Sequence, residues 1–268
     1  MKSSPIILVI MLLCFNASAQ EIRILVPYFG TIHNQLAVEQ MDQNLDDNSL
    51  FKGLYFQWVN PKKYQWNFFL YHSKDINYST LLGNHLILDL YFKNTQQGRY
   101  VAGIGFDLIN IHTDASIIQN LTHFKMKNEI YTYYFRIGRY FDKTSSGIEN
   151  SGLLWLGYQR DDLNMDLSFT IPPMNPYMPE VVVAETQNKN NHYALAGIAF
   201  KSTLYHFLEI QFKFHRKFDL NADQTLNDIS LMTNLYLSRR WGISYRFKYM
   251  ELVIGKNQYH IAGICFVF

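Results

Sequence analysis

The residues best placed to do chemistry are ionisable side chains that recur at every second position. Glu209, Lys213 and His215 alternate with Leu208, Ile210, Phe212 and Phe214, and Arg246 and Lys248 alternate with Trp241, Ile243, Tyr245, Phe247 and Tyr249. In an extended chain successive side chains point to opposite faces, so the charges share one face and the apolar residues the other. Asp89 opposes Leu86, Leu88, Leu90 and Phe92 in the same way, Arg136 opposes Tyr131, Tyr133, Phe135 and Ile137, and Asp107 joins the set. Grouped on one wall, Asp89, Asp107, Arg136, Glu209, Lys213, His215, Arg246 and Lys248 present both signs of charge. Such a mixture either sets a field across a constriction that selects small polar solutes, or fills a narrow interior with ion pairs. A row of one sign would point to an ion-specific pore.

A second, weaker constellation lies near the ends of the candidate strands and comprises Ser73, Asp75, His112, Asp114, His123, Asp161 and Asp162. His112 and Asp114, two residues apart, share a face and have the composition of an Asp-His general base, with Asp161 and Asp162 as carboxylates that could activate water. Polar residues at a solvated rim need no such explanation, however. His72 and Ser73 are adjacent and face opposite sides, which is unsuitable for a nucleophile and its base. The nine histidines are dispersed, and the chain holds no Gly-rich phosphate loop, paired CxxC or HExxH helix. Neither a cofactor nor a metal site is expected.

The elements that must position these side chains are short β-strands. Twelve segments alternate or carry mixed aromatic and aliphatic runs bounded by turn residues, among them 22–29, 50–59, 64–72, 99–111, 150–162, 191–201 and 258–268. The connectors between them alternate in length. Stretches 30–49, 73–83, 112–127, 163–190, 218–226 and 252–257 are mostly long, whereas 60–63, 93–98, 142–149, 202–204 and 239–240 are short. That parity is expected of a closed antiparallel barrel that crosses a membrane, with turns on one side and loops on the other. A β-sandwich would have no reason to show it. The alternative is a barrel of ten strands, should 22–29 and one other weak segment fail to pair.

The start of the chain reads as an export signal: Lys2, the apolar run Ile6–Phe15, and the small residues Ala17-Ser18-Ala19 before Gln20. The expected organisation is a signal peptide at 1–19 and one barrel over 20–268. Leu13 is too large to precede a lipidated Cys14, and Cys265 is then the only cysteine left, so no internal disulfide can form. Beyond the signal no apolar run reaches eighteen residues, which excludes a transmembrane helix but not barrel strands. A net charge of +2 with scattered Lys and Arg excludes nucleic acid as a partner. Aromatic residues, at 16%, are abundant in the way membrane interfaces favour.

The chain ends Gly263-Ile264-Cys265-Phe266-Val267-Phe268, an alternating strand with a terminal aromatic. This resembles the C-terminal signal of bacterial outer-membrane β-barrels, with Gly263, Phe266 and Phe268 in the matching positions. The resemblance covers about the last ten residues and implies recognition by the barrel-insertion machinery, with outer-membrane lipid as the surrounding solvent. The rim residues are similar only in type to those of omptin-like outer-membrane proteases, and the order here is His-x-Asp where that family has Asp-x-His. The His-x-Ser-Asn pairing of the outer-membrane phospholipase is absent.

Two loops stand out by composition. Segment 163–190 holds Pro172, Pro173, Pro176 and Pro179, four of the seven prolines, and begins with a further alternating run, Leu163, Met165 and Leu167. Segment 30–49 carries Glu39, Asp42, Asp46 and Asp47. The expected function is passive: a small-solute channel or a structural barrel with a mixed-charge lumen. The alternatives are a hydrolase at the outer rim, protease-like or lipase-like, and a surface-binding protein acting through 30–49 and 163–190.

Overall fold

The computed structural model describes residues 21–38, 43–60, 62–75, 79–95, 98–115, 123–171, 179, 181–252 and 255–268. The proposed signal peptide, including its cleavage site, lies outside them. Twelve strands follow one another: β1 Ile22–Val38, β2 Gln43–Asn60, β3 Tyr64–Asp75, β4 Ser79–Thr95, β5 Gly98–Ala115, β6 His123–Ser145, β7 Ile148–Ile171, β8 Val181–Leu204, β9 Leu208–Asp219, β10 Thr225–Tyr236, β11 Trp241–Leu252 and β12 Gly255–Val267. Each pairs antiparallel with its sequence neighbours, and β12 returns to β1 through Ile24 opposite Val267 and Tyr28 opposite Gly263. Arg23 and Phe268 complete that seam by exchanging backbone hydrogen bonds of 3.3 and 2.9 Å. Closure leaves no strand edge in the barrel wall, which a backbone in lipid requires. The ten-strand alternative falls, because β1 is paired on both sides.

The strands are longer than the alternation alone predicts, and this corrects the two long loops. Most of 30–49 is strand, since β1 runs to Val38 and β2 resumes at Gln43 with continuous pairing. Most of 163–190 is strand as well: β7 and β8 stay in register from Asn190 opposite Asp162 out to Val181 opposite Ile171. Cross-strand backbone hydrogen bonding continues past the point where the apolar face stops, so the hydrophobic pattern marks the membrane and not the end of the strand. Pro172, Pro173 and Pro176 lie outside the described residues. β7 and β8 each contain 24 residues against 12 in β9, and β9 joins β8 only from Tyr193 onward. At ~3.3 Å per residue the longer strands reach roughly 40 Å further. Residues 181–190 are exposed on both faces, as a ribbon standing clear of the wall must be.

The outer face carries the apolar residues of the alternating pattern. Leu90, Ile104, Ile137, Leu154, Leu156, Ile198, Ile243 and Ile264 are exposed around the barrel. Towards the end with the chain termini they give way to Trp66, Phe92, Tyr100, Phe141, Phe200, Trp241 and Phe268, also exposed. Aliphatic residues in the middle with rings at the boundary match a bilayer, whose interface suits aromatic side chains. At the other boundary the outward positions turn charged: Glu129 with Lys127 at 2.8 Å, Asp162 with Arg160 at 2.7 Å, and Asp114 with Lys125 at 3.8 Å. There the hydrogen bond from Lys127 draws the Glu129 carboxyl below its ordinary value.

Candidate functional site: the lumen

The inward positions build a charged chamber at mid-height. Asp89, Asp107, Arg136, Lys213, His215, Arg246 and Lys248 all line one cavity of about 130 Å³, and Glu209 lines a wider one of about 560 Å³ nearer the chain termini. All eight residues chosen by alternation therefore face the lumen. The two cavities share Gln65, Tyr140, Leu153, Ala199 and Lys213, so they adjoin. In bacterial barrels the end with the termini and short turns is periplasmic.

Register decides which charges meet. Asp89 of β4 lies opposite Gly103 of β5, and Gly103 lies opposite Arg136 of β6. Gly103 has no side chain, so its two neighbours reach over it. Arg136 donates from Nε to Asp89 Oδ1 at 3.1 Å and from Nη2 to Oδ2 at 2.7 Å, a bidentate pair. A Cβ at position 103 would collide with Asp89 Oδ1 and press on Arg136 Nε at 3.0 Å. The same device recurs at the seam. Gly263 sits between Ser244 and Tyr28 in register, and the Tyr28 hydroxyl bonds Ser244 Oγ across it at 2.6 Å. Ser244 donates to Asn234 Oδ1 at 2.6 Å, Asn234 Nδ2 donates to Glu209 at 3.0 Å, and Lys201 Nζ lies 2.5 Å from Glu209.

Direct cross-strand pairs supply the rest. His85 bonds Asp107, its register partner. Asp228, opposite His215, is held by His215 Nε2 at 2.8 Å and by Lys217 Nζ at 3.4 Å. Lys217 is within reach of the alternation rule, since it extends the inward row of Lys213 and His215 on β9. Asp228 is not among the residues chosen by alternation, because no inward row on β10 is picked out from the sequence; its register with His215 brings it in. Finding Asp89 with Arg136 requires the position of a glycine on the strand between them.

The lumen is not polar throughout, which the alternation does not anticipate. On strand after strand the next inward positions towards the far end are apolar: Ile109 and Ile111 beyond Asp107, Ile130 beyond Thr132, Leu163 beyond Asp161, Leu226 beyond Asp228, and Met250 beyond Lys248. Ile109, Ile111, Ile130, Leu163 and Met250 pack in one cluster with Ile32, Phe51, Tyr71, Leu81 and Tyr259 from β1–β4 and β12. The Phe51 ring stacks on Tyr71 and Tyr259, each with centroids 5.5 Å apart. Side chains from opposite walls thus meet above the charged chamber.

The rim constellation is not brought together. His112 and Asp114 share a face, but it is the exposed outer one, across β5–β6 from Lys127 and Lys125. Asp162 also points outward, to Arg160. Asp161 points inward, where it is buried and accepts hydrogen bonds from Thr132 at 2.7 Å and Gln159 at 2.8 Å. Ser73 is buried while His72 is exposed, the opposite-face arrangement expected of neighbours. Among the described residues no group of three His, Cys, Asp or Glu side chains is arranged to hold a metal.

A closed, all-antiparallel barrel with an aliphatic belt outside, rings at its boundary and charges within has the architecture of the transmembrane β-barrels of bacterial outer membranes. No protein-family model matches the chain, and no curated protein matches it. Among solved structures it is similar to the translocator domain of the autotransporter NalP from Neisseria meningitidis, with 10% identity and a TM-score of 0.55, covering 98% of this chain and 94% of that one. It is also similar to the transport unit of the autotransporter AIDA-I from Escherichia coli, with 10% identity and a TM-score of 0.50, covering 95% and 92%. At such identity these likenesses show the fold alone.

Proposed function

We propose that the protein is a passive outer-membrane barrel that admits small polar solutes from the periplasmic side to a charged chamber and is sealed towards the outside by an apolar layer. The observation that carries this reading is the order along the lumen: a vestibule of about 560 Å³, an adjoining charged chamber of about 130 Å³, and beyond Asp107, Asp161 and Lys248 the apolar inward residues Ile109, Leu163 and Met250, which pack with Phe51 and Leu81 in a cluster that also runs down the β1–β3 and β12 wall to Ile24 and Cys265. Charged groups are costly to keep in a lumen unless paired or hydrated, whereas apolar constrictions exclude water and ions. The hydrolase reading lacks a geometry, since its candidate residues are divided between the outer and inner faces. Gly263 and Phe266 on β12, with Phe268 directly after it, serve the insertion machinery in this scheme, as part of the strand that closes the barrel.

Planar-bilayer recording of the folded protein tests the reading. The wild type should pass only small, infrequent current steps, and the Phe51→Ala, Leu81→Ala variant should conduct steadily. A wild type that conducts as well as the variant would show that the apolar layer is no seal. Silence in both would reduce the protein to a structural barrel.

A second reading rests on the ribbon. Val181, Val182 and Val183 are exposed on a strand that β9 does not reach, and such an edge can pair with a strand of another protein. Deleting 167–185 should leave the barrel folded and abolish surface binding. Binding that survives the deletion would refute this role.

A further inference from the structure

The carboxylates of the central chamber are all engaged, and three of its cations are not. Asp89 is held by Arg136, Asp107 by His85, Asp228 by His215 and Lys217, and Asp161 by hydroxyl and amide donors. Among the described residues no carboxylate forms an ion pair with Lys213, Arg246 or Lys248. Arg246 rests instead over the rings of Tyr55 and Phe69, at 5.5 and 5.0 Å from their centroids, and Lys248 lies 5.9 Å from that of Tyr259. Arg246 Nε and Nη1 are buried and have no hydrogen-bond acceptor.

Register explains how these groups gather. Ser230 of β10 lies opposite Lys213 of β9 on one side and opposite Lys248 of β11 on the other. Arg246 is the adjacent inward position on β11. Two ammonium groups therefore flank a hydroxyl, with a guanidinium beside them, and all four side chains line the chamber of about 130 Å³.

We propose that Lys213, Ser230, Arg246 and Lys248 form a binding site for a small oxyanion of the phosphate or sulfate class. A guanidinium with buried, unsatisfied N–H groups favours an anion with several acceptor oxygens, because charge-assisted bonds are the strong ones and leaving such donors unmade is costly. Asp89 and Asp228 are compensated by Arg136 and Lys217, and Asp107 and Asp161 are turned to His85 and to hydroxyl and amide donors, so none of the four carboxylates is directed at the three cations. The chamber has room for a phosphate with a few waters. The inference rests on access from the vestibule, as proposed above, but not on conduction through the apolar layer.

The test is thermal unfolding of the folded barrel in detergent, read by heat-modifiability on a gel, with sodium phosphate against sodium chloride at matched ionic strength. Phosphate should raise the midpoint saturably and chloride should not, since a ligand that binds only the folded state stabilises it. Ser230→Asp places a carboxylate between the two lysines; it should raise the midpoint in chloride and remove the response to phosphate. Lys248→Gln should weaken the apparent phosphate affinity at least tenfold, while Lys127→Gln, on the outer surface, should leave it unchanged. Equal effects of phosphate and chloride on the wild type, or a full phosphate response in Ser230→Asp, would overturn the proposal. If Lys248→Gln does not fold, the comparison of wild type with Ser230→Asp still decides. A flat phosphate titration in a conducting protein overturns the anion site alone, whereas a phosphate response in a silent one overturns only the channel.

Discussion

Replacing Asp89 by asparagine should show how much the interior depends on one ion pair. The Asp89 side chain is 1% exposed and that of Arg136 is 9% exposed, so neither is appreciably solvated when its partner is lost. Breaking a buried pair on one side typically costs ~3–5 kcal/mol, because the remaining charge is left without compensation. The substituted amide could still accept one hydrogen bond, which favours the lower end, and ~3 kcal/mol is a factor of more than 100 in the folding equilibrium. The assay is a urea titration of the barrel in lipid vesicles, followed by tryptophan fluorescence, with Asp89→Asn, Arg136→Met and the double variant in one cycle. The midpoint should fall in each single variant at constant slope, and the double should lose clearly less than the sum of the two, since the second substitution removes a partner whose pair is already broken. Gly103→Ala should mimic the single variants, because its Cβ would occupy the space where the pair meets, and it should cost much less in the double-variant background. A loss below ~1 kcal/mol for Asp89→Asn, or strictly additive effects, would refute the reasoning and mean that the chamber solvates its charges.

Two further outcomes are expected. Phe51→Ala should lower stability by ~3–5 kcal/mol, the usual cost of deleting a buried ring, in the same urea assay; a change under ~1 kcal/mol would mean that the rings around it are loosely packed. Removing Phe268 should slow insertion into the outer membrane, with folded material appearing later in a pulse-chase gel, and unchanged kinetics would remove the terminal residue from the insertion signal.

Period-two alternation was enough to determine the membrane-facing and lumen-facing sides of the wall. Phe212 and Trp241 are exposed while Glu209 and Ser244 are buried, as a strand with two different solvents requires. The terminal strand and the eight lumen charges follow from the same local rule, which needs no knowledge of neighbours, whereas twelve crossings and not ten are decided by the pairing of β1 on both sides. Strand ends did not, because backbone pairing along β7 and β8 continues where side-chain alternation loses its apolar half. Nor could the sequence divide the rim residues correctly. Asp161 and Asp162 are adjacent and look alike, yet one is buried among lumen hydroxyls and the other meets Arg160 outside, and only the phase of β7 in the closed wall assigns them. Tertiary structure alone decided which charges are compensated. Asp89 and Arg136 are separated by 47 residues and an intervening strand, and their contact depends on a missing side chain at Gly103. Lys213 and Lys248 are brought together by register across β10, with no carboxylate between them. Alternation fixes a direction for each side chain; which side chains share a height in the lumen is set by strand register, and charge compensation depends on that height.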